Sequence, residues 1–208
     1  MKKHTKTFLI PCAAAALTIG SSMMAFAATG WQEEDGTWRY YDKNGDEVTS
    51  SWKKSGNDWF WLDEDGEMAT SQLVEDNDNY YYVNESGVMV RNQWRELEND
   101  DPQDDDESDT VWYYFGADGK AYKAKDSGRV NFKSIVRADG VTKKYAFDEE
   151  GKMLYGWIDE QGERQTGDDA WQTGVYYLGG ADDGAMRSHQ WERLDVVDDD
   201  QTNDEFQD

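Results

Sequence analysis

The chain has 208 residues, 45 of them acidic against 21 basic, with a formal net charge of −24, one Cys and two His. That inventory leaves no disulfide framework and no zinc site built from several histidines, and so much negative charge excludes nucleic acid as a partner.

Residues 1–28 read as a secretory signal peptide. Lys2, Lys3 and Lys6 precede an apolar run from Phe8 to Ile19, and "AFAA" at 25–28 supplies small residues for cleavage near Ala27 or Ala28. The apolar run is short for a bilayer core of roughly 30 Å, so no stable membrane insertion is expected after cleavage. Pro11 before Cys12 argues against a lipid anchor, because that position is normally small. Removing the three lysines moves the net charge from −24 to −27, and His189 is then the only His and no Cys remains.

From Trp31 onward the same residue types return every 21 positions: Trp31, Trp52, Leu73, Trp94; Trp38, Trp59, Tyr80; Gly45, Gly66, Gly87. Three coincident series at one period define an internal repeat. Later copies, "VWYYFGADGK", "KYAFDEEGKM" and "VYYLGGADDGAM", keep the aromatic run and the turn glycine. Their linkers lengthen, with intervals of 38, 25 and 34 residues separating Trp94, Phe132, Trp157 and Trp191. Six complete units over 29–191 and the beginning of a seventh follow from this alignment.

Strand side chains alternate between two faces. The second and fourth positions of the aromatic run put Phe60 and Leu62, Tyr81 and Val83, Tyr113 and Phe115, Tyr145 and Phe147, and Tyr176 and Leu178 on one face. That face is apolar in every copy but the first, where Arg39 stands beside Tyr41, so it is expected to be core, with Arg39 capping one end. The first and third positions form the opposite face, from Trp38 and Tyr40 to Lys144 and Ala146. Single hairpins of this size are not stable alone, so stacking against neighbours must supply the buried surface.

The acid-rich segment "ENDDPQDDDESD" at 98–109 reads as a loop projecting from the stack. The turns "DKNGDE" and "DEDGEM" reach Gly too early for an EF-hand and lack its distal Glu, so no metal is expected. A glycosidase needs one acid with a raised pKa facing a second across a cleft, whereas these acids cluster in turns and loops. His189 falls where Asn92 stands in an earlier linker, "MRSHQW" against "MVRNQW". No catalytic residue and no cofactor is expected. Residues 192–208 are too charged and too poor in apolar groups to order, so they are expected to form an incomplete acidic repeat or disordered tail, with the natural gene continuing.

The pattern "GW" at 30–31 followed by "GTWRYYDKNG", with "WFWLDEDGEM", "WYYFGADGK" and "KYAFDEEGKMLYGW", resembles the choline-binding or cell-wall-binding repeat family of Gram-positive bacteria, related to glucan-binding and clostridial toxin repeats. The resemblance spans essentially everything after the signal. It implies an all-β superhelical solenoid of stacked β-hairpins, and ligands held against aromatic rings between hairpins. The chain would then be a secreted, cell-wall-associated attachment module for choline-bearing teichoic acid or a neutral cell-wall or extracellular glycan. The alternative is a truncated portion of a wall hydrolase, glucan-binding protein or toxin lacking its catalytic domain.

A quaternary ammonium is attracted to a ring face by roughly 0.5 to 2 kcal/mol, so one cage reaches an affinity near about 1 mM. Several cages on a polymer gain a factor of about 10² to 10⁴. Family pockets as the resemblance gives them combine a linker Trp and first-position ring with a ring from the next unit. Two sets are fully aromatic on that rule: Trp31, Trp38 and Trp61, then Trp52, Trp59 and Tyr82. The third has Leu73 beside Tyr80 and Tyr114, the fourth pairs Trp94 and Trp112 with Ala146, and the fifth offers Phe132 with Lys144. Binding is therefore expected to concentrate in the N-terminal half.

Overall fold

The computed structural model describes residues 29–99, 108–125, 128–167 and 169–188. The signal segment, the middle of the acidic insertion, His189 and the tail from 192 lie outside the described residues, and so do the expectations placed on them.

The described chain is all-β apart from one helical turn. Five antiparallel hairpins follow in order: β1 (Gly30–Glu34) with β2 (Thr37–Tyr41), β3 (Ser51–Ser55) with β4 (Asp58–Leu62), β5 (Gln72–Asp76) with β6 (Asn79–Val83), β7 (Gln93–Glu98) with β8 (Thr110–Phe115), and β9 (Lys133–Val136) with β10 (Thr142–Tyr145). In the sixth unit β11 (Trp157–Ile158) pairs on both sides, with β12 (Arg164–Gln165) and β13 (Tyr176–Tyr177), and α1 (Ala170–Thr173) lies between β12 and β13. The long sixth linker thus carries a third strand and a helical turn that the repeat pattern does not announce.

Each unit uses two turns. The hairpin closes on two residues in the first three units, with positive φ at Asp35 and Gly36, at Gly56, and at Asn77 and Asp78. Such primed-type turns match the right-handed strand twist, and Gly, Asn and Asp tolerate them. The glycine turn read from the sequence is the second. In the first unit Asp42 Oδ1 accepts from the N–H of Asn44 at 2.8 Å and of Asp46 at 3.0 Å, and Gly45 N–H donates to Asp42 O at 3.0 Å. Asp63, Asn84 and Asp148 hold the equivalent turns in the same way. The chain then returns beside its own hairpin, bridging Leu62 to Met68, Val83 to Met89, Phe115 to Ala121 and Phe147 to Met153.

That returning segment joins one unit to the one before. The N–H groups of Met68, Met89, Ala121, Met153 and Met186 donate at 2.8 Å to the carbonyls of Trp38, Trp59, Tyr80, Trp112 and Lys144, the first-position residues of the preceding units. The side chain two residues past each turn glycine also packs under the glycine of the next unit. A Cβ built on Gly119 would lie 2.6 Å from Met89 Sδ, and one on Gly87 would lie 2.9 Å from Met68 Cε. These glycines therefore meet two demands at once, a positive φ and the absence of a side chain.

The core follows the same logic. Leu62, Val83, Phe115, Ile158 and Leu178 are fully buried, and the second-position rings Tyr81, Tyr113 and Tyr145 are nearly so. The expected core face is thus buried in the third to fifth units, whereas Phe60 in the second and Tyr176 in the sixth are half-buried beside buried Leu62 and Leu178. The buried residues gather in four clusters, each drawing on neighbouring units. In the first unit Arg39 replaces the second-position ring. Its guanidinium pairs with Glu47 and, at 2.6 Å, with Glu67 and the carbonyl of Asp65 in the next unit. A charged pair thus occupies the place that a ring and a methionine fill further in. Ala146, grouped from the sequence with the opposite face, is fully buried with Ile158 and Leu178.

Candidate functional site

Strand register decides how the rings meet. Each linker residue sits directly opposite the third-position residue of its own hairpin: Trp31 opposite Tyr40, Trp52 opposite Trp61, Leu73 opposite Tyr82, Trp94 opposite Tyr114. Cross-strand neighbours of this kind lie on one face within side-chain reach, and the ring centroids of Trp52 and Trp61 are 5.2 Å apart, those of Trp94 and Tyr114 5.1 Å. Trp61, Tyr82 and Tyr114, expected as rings offered by the following unit, instead back the linker of their own.

The ring supplied by the following unit comes from the second position. Trp31 meets Phe60 at 5.4 Å, Trp52 meets Tyr81 at 5.0 Å, Trp94 meets Tyr145 at 4.9 Å and Phe132 meets Tyr176 at 5.1 Å, all edge to face. The first four junctions therefore bring a linker side chain and a first-position ring of one unit against a second-position ring and a post-turn side chain of the next. These sets are Trp31, Trp38, Phe60 and Met68; Trp52, Trp59, Tyr81 and Met89; Leu73, Tyr80, Tyr113 and Ala121; and Trp94, Trp112, Tyr145 and Met153. The expected groupings of Trp31 with Trp38 and Trp61, and of Trp52 with Trp59 and Tyr82, are not joined by ring contacts among the described residues.

Two rings expected to hold a ligand, Trp59 and Tyr82, already face the protein's own cations, and so does Tyr40. Lys53 Nζ lies 5.3 Å over Tyr40, Lys54 Nζ 5.9 Å over Trp59, and the Arg95 guanidinium 5.9 Å over Tyr82. Trp38 is the most open of the predicted site residues, 39% exposed.

The fourth junction encloses a concavity of about 220 Å³. Trp94, Trp112 and Tyr145 line it, and Met153 and Tyr145, both buried, form its inner side. Arg137, Ala138, Asp182 and Asp183 line its outer side. Burial pushes the Tyr145 phenol above its ordinary pKa, and the nearby Arg137 guanidinium acts in the opposite direction. Aromatic faces beside carboxylates suit a cation that needs no hydrogen-bond acceptor. Counting residue 146 as this junction's third member placed an alanine where the structure places Tyr145. The signal present in the sequence is the aromatic second position, which strand alternation alone assigns to the core.

A second concavity, about 380 Å³, lies at the third junction. Leu73 there replaces the linker Trp, and Tyr82, Tyr113, Gln72, Asn99 and Lys152 are among the residues around it. Among the described residues no three His, Cys, Asp or Glu side chains gather as for a metal, and no helix is long and apolar enough to cross a membrane.

Residues 48–94 match a family model described as a choline-binding repeat, and residues 108–121 match a second, described as a cell wall binding repeat. No curated protein matches the chain. Among solved structures, choline binding protein F from Streptococcus pneumoniae is similar at 22% identity over 80% of this chain and 47% of that one, TM-score 0.49. CbpJ from Streptococcus pneumoniae TIGR4 is similar at 23% identity over 77% of this chain and 42% of that one, TM-score 0.48. The modular autolysin LytC from Streptococcus pneumoniae gives 23% identity over 77% of this chain and 28% of that one, TM-score 0.48. The chain spans less than half the length of each of these three.

Proposed function

We propose that this chain, whose residues 48–94 match a choline-binding repeat model, is a non-catalytic cell-surface attachment module. Its hairpins stack as a solenoid, and the junctions between them hold the quaternary ammonium groups of a choline-decorated wall polymer. The observation that carries this reading is the fourth junction, where Trp94, Trp112 and Tyr145 surround a cavity the size of a small cation with Asp182 and Asp183 beside it. The ring sets at the first and second junctions repeat the arrangement. Secretion through the N-terminal signal and residence at the cell wall belong to the same proposal.

Cages of this kind are individually weak, and spacing them along one stack lets a polymer engage several at once. A neutral glycan is a second reading, favoured at the third junction, where Leu73, Tyr82 and the Gln72 and Asn99 amides replace a ring cage. Retention of the purified chain on immobilised choline, eluted by free choline, tests the first reading. Retention on dextran or peptidoglycan with none on choline would put the second in its place.

A further inference from the structure

The fourth junction differs from the other ring cages through two departures from the repeat. The β9–β10 hairpin closes over residues 137–141 rather than over two, since its last pair is Val136 with Thr142. The glycine turn of the sixth unit carries two extra residues in "GGADDG". These enlargements lie apart in sequence, yet both line the same cavity, one through Arg137 and the other through Asp182 and Asp183.

Arg137 is held there without being used up. Its Nη1 donates to Asp183 Oδ1 at 3.3 Å, and its Nε lies 3.9 Å from Asp139 Oδ2. Asp183 is shared with Arg187, whose Nη1 is 2.7 Å from Oδ2. The Arg137 side chain is 41% exposed, and an ion pair that open to water adds little stability, so exchanging Asp183 for another anion is cheap. A guanidinium presents paired donors matched to phosphate oxygens. The cavity thus offers aromatic faces to a cation and, on its outer side, a guanidinium to an anion covalently attached to that cation.

Resting on the reading of this junction as an ammonium cage, we infer that it recognises the whole phosphocholine zwitterion of a wall polymer, with the ammonium against Trp94, Trp112 and Tyr145 and the phosphate on Arg137. Arg137 is then a specificity residue.

The test uses the purified chain with methyl-¹³C methionine, following the Met153 methyl signal, which reports this junction alone and is assigned by its loss in M153L. At about 0.15 M salt, where the screening length is about 8 Å, glycerophosphocholine is expected to bind roughly fivefold to tenfold tighter than choline, the net worth of one hydrogen bond exposed to water. R137Q removes that preference, read as the ratio of the two affinities, and D183N, which frees the guanidinium, increases the ratio. Equal affinity of the parent for both ligands, or a preference surviving in R137Q, overturns the inference and leaves the cage intact. No Met153 response to either ligand overturns both. Phosphatidylcholine vesicles carry the same headgroup as choline-bearing teichoic acid. Arg137-dependent binding to the polymer supports the inference, and binding to vesicles alone would overturn its assignment to the wall.

Discussion

Trp94 and Tyr145 meet edge to face at 4.9 Å across the boundary between the fourth and fifth hairpins, although one belongs to a linker and the other to the buried face of the next unit. The same relation joins Trp52 to Tyr81 at 5.0 Å. The second-position ring therefore serves twice, packing the core through one edge and closing the junction through another. Edge-to-face pairs add about 0.5 to 1.5 kcal/mol beyond the area they bury, so junction geometry and stability are coupled wherever the linker residue is a ring.

Replacing first-position rings by leucine keeps the junctions apolar while removing the π faces. Trp38→Leu with Trp59→Leu is expected to weaken retention on immobilised choline roughly tenfold or more through lost multivalency. Adding Trp112→Leu should abolish retention. Circular dichroism should show both variants folded. A folded triple variant retained as strongly as the parent would place the ligand elsewhere.

Glycine substitutions separate backbone strain from axial packing. Gly140 has φ +80 and open space around it, whereas Gly119 has φ +85 and Met89 Sδ within 2.6 Å of the added carbon. Gly140→Ala should cost about 1 kcal/mol, the price of a left-handed residue with a side chain. Gly119→Ala should cost about 1 kcal/mol more, from overpacking against Met89. Urea denaturation of the two variants gives the comparison, and equal losses would show that the column yields freely.

Asp148 makes stability depend on pH. Burial is the main cause that raises its pKa from 3.8 to about 6. The folded state favours the neutral acid, so as pH climbs from about 4 to about 6 the unfolded chain loses this proton first and the fold weakens. The penalty, on the order of 3 kcal/mol, is complete above about pH 6. Asn84 fills the same place in the third unit and accepts from the N–H of Ser86 at 2.9 Å and of Val88 at 3.0 Å. Asp148→Asn should therefore stabilise the chain by about 1 to 3 kcal/mol at pH 7.5, and the advantage should vanish near pH 4. A constant difference from pH 4 to 8 would show that Asp148 titrates normally.

The hairpin ladder grips the acidic insertion at its base. Glu98 pairs with Thr110, Asn99 N–H donates to Asp109 O at 2.8 Å, and Asn99 Nδ2 donates to Ser108 O at 3.1 Å. Replacing residues 100–107 by Asn-Gly should leave the melting temperature within about 2 °C, since a short turn can close an existing ladder. A drop of ten degrees would show that the insertion packs on the stack.

The sequence by itself determined the unit and its inner face. Alternation along a strand is a local property, so the 21-residue period and the apolar second and fourth positions located Leu62, Val83, Phe115 and Leu178 in the interior. Arg39, the one charged residue in that series, marked the end unit. Only tertiary structure decided which ring faces which across a junction. That choice is made by the bond from Met153 N–H to Trp112 O and its equivalents, which set one hairpin's height and rotation on the next, and no side-chain periodicity encodes those. Tyr145 rather than residue 146 therefore lines the cavity at the fourth junction. The pairing of Arg137 with Asp183, 46 positions apart, likewise depends on two loop enlargements that sequence spacing registers only as interruptions and that the stack brings to one opening.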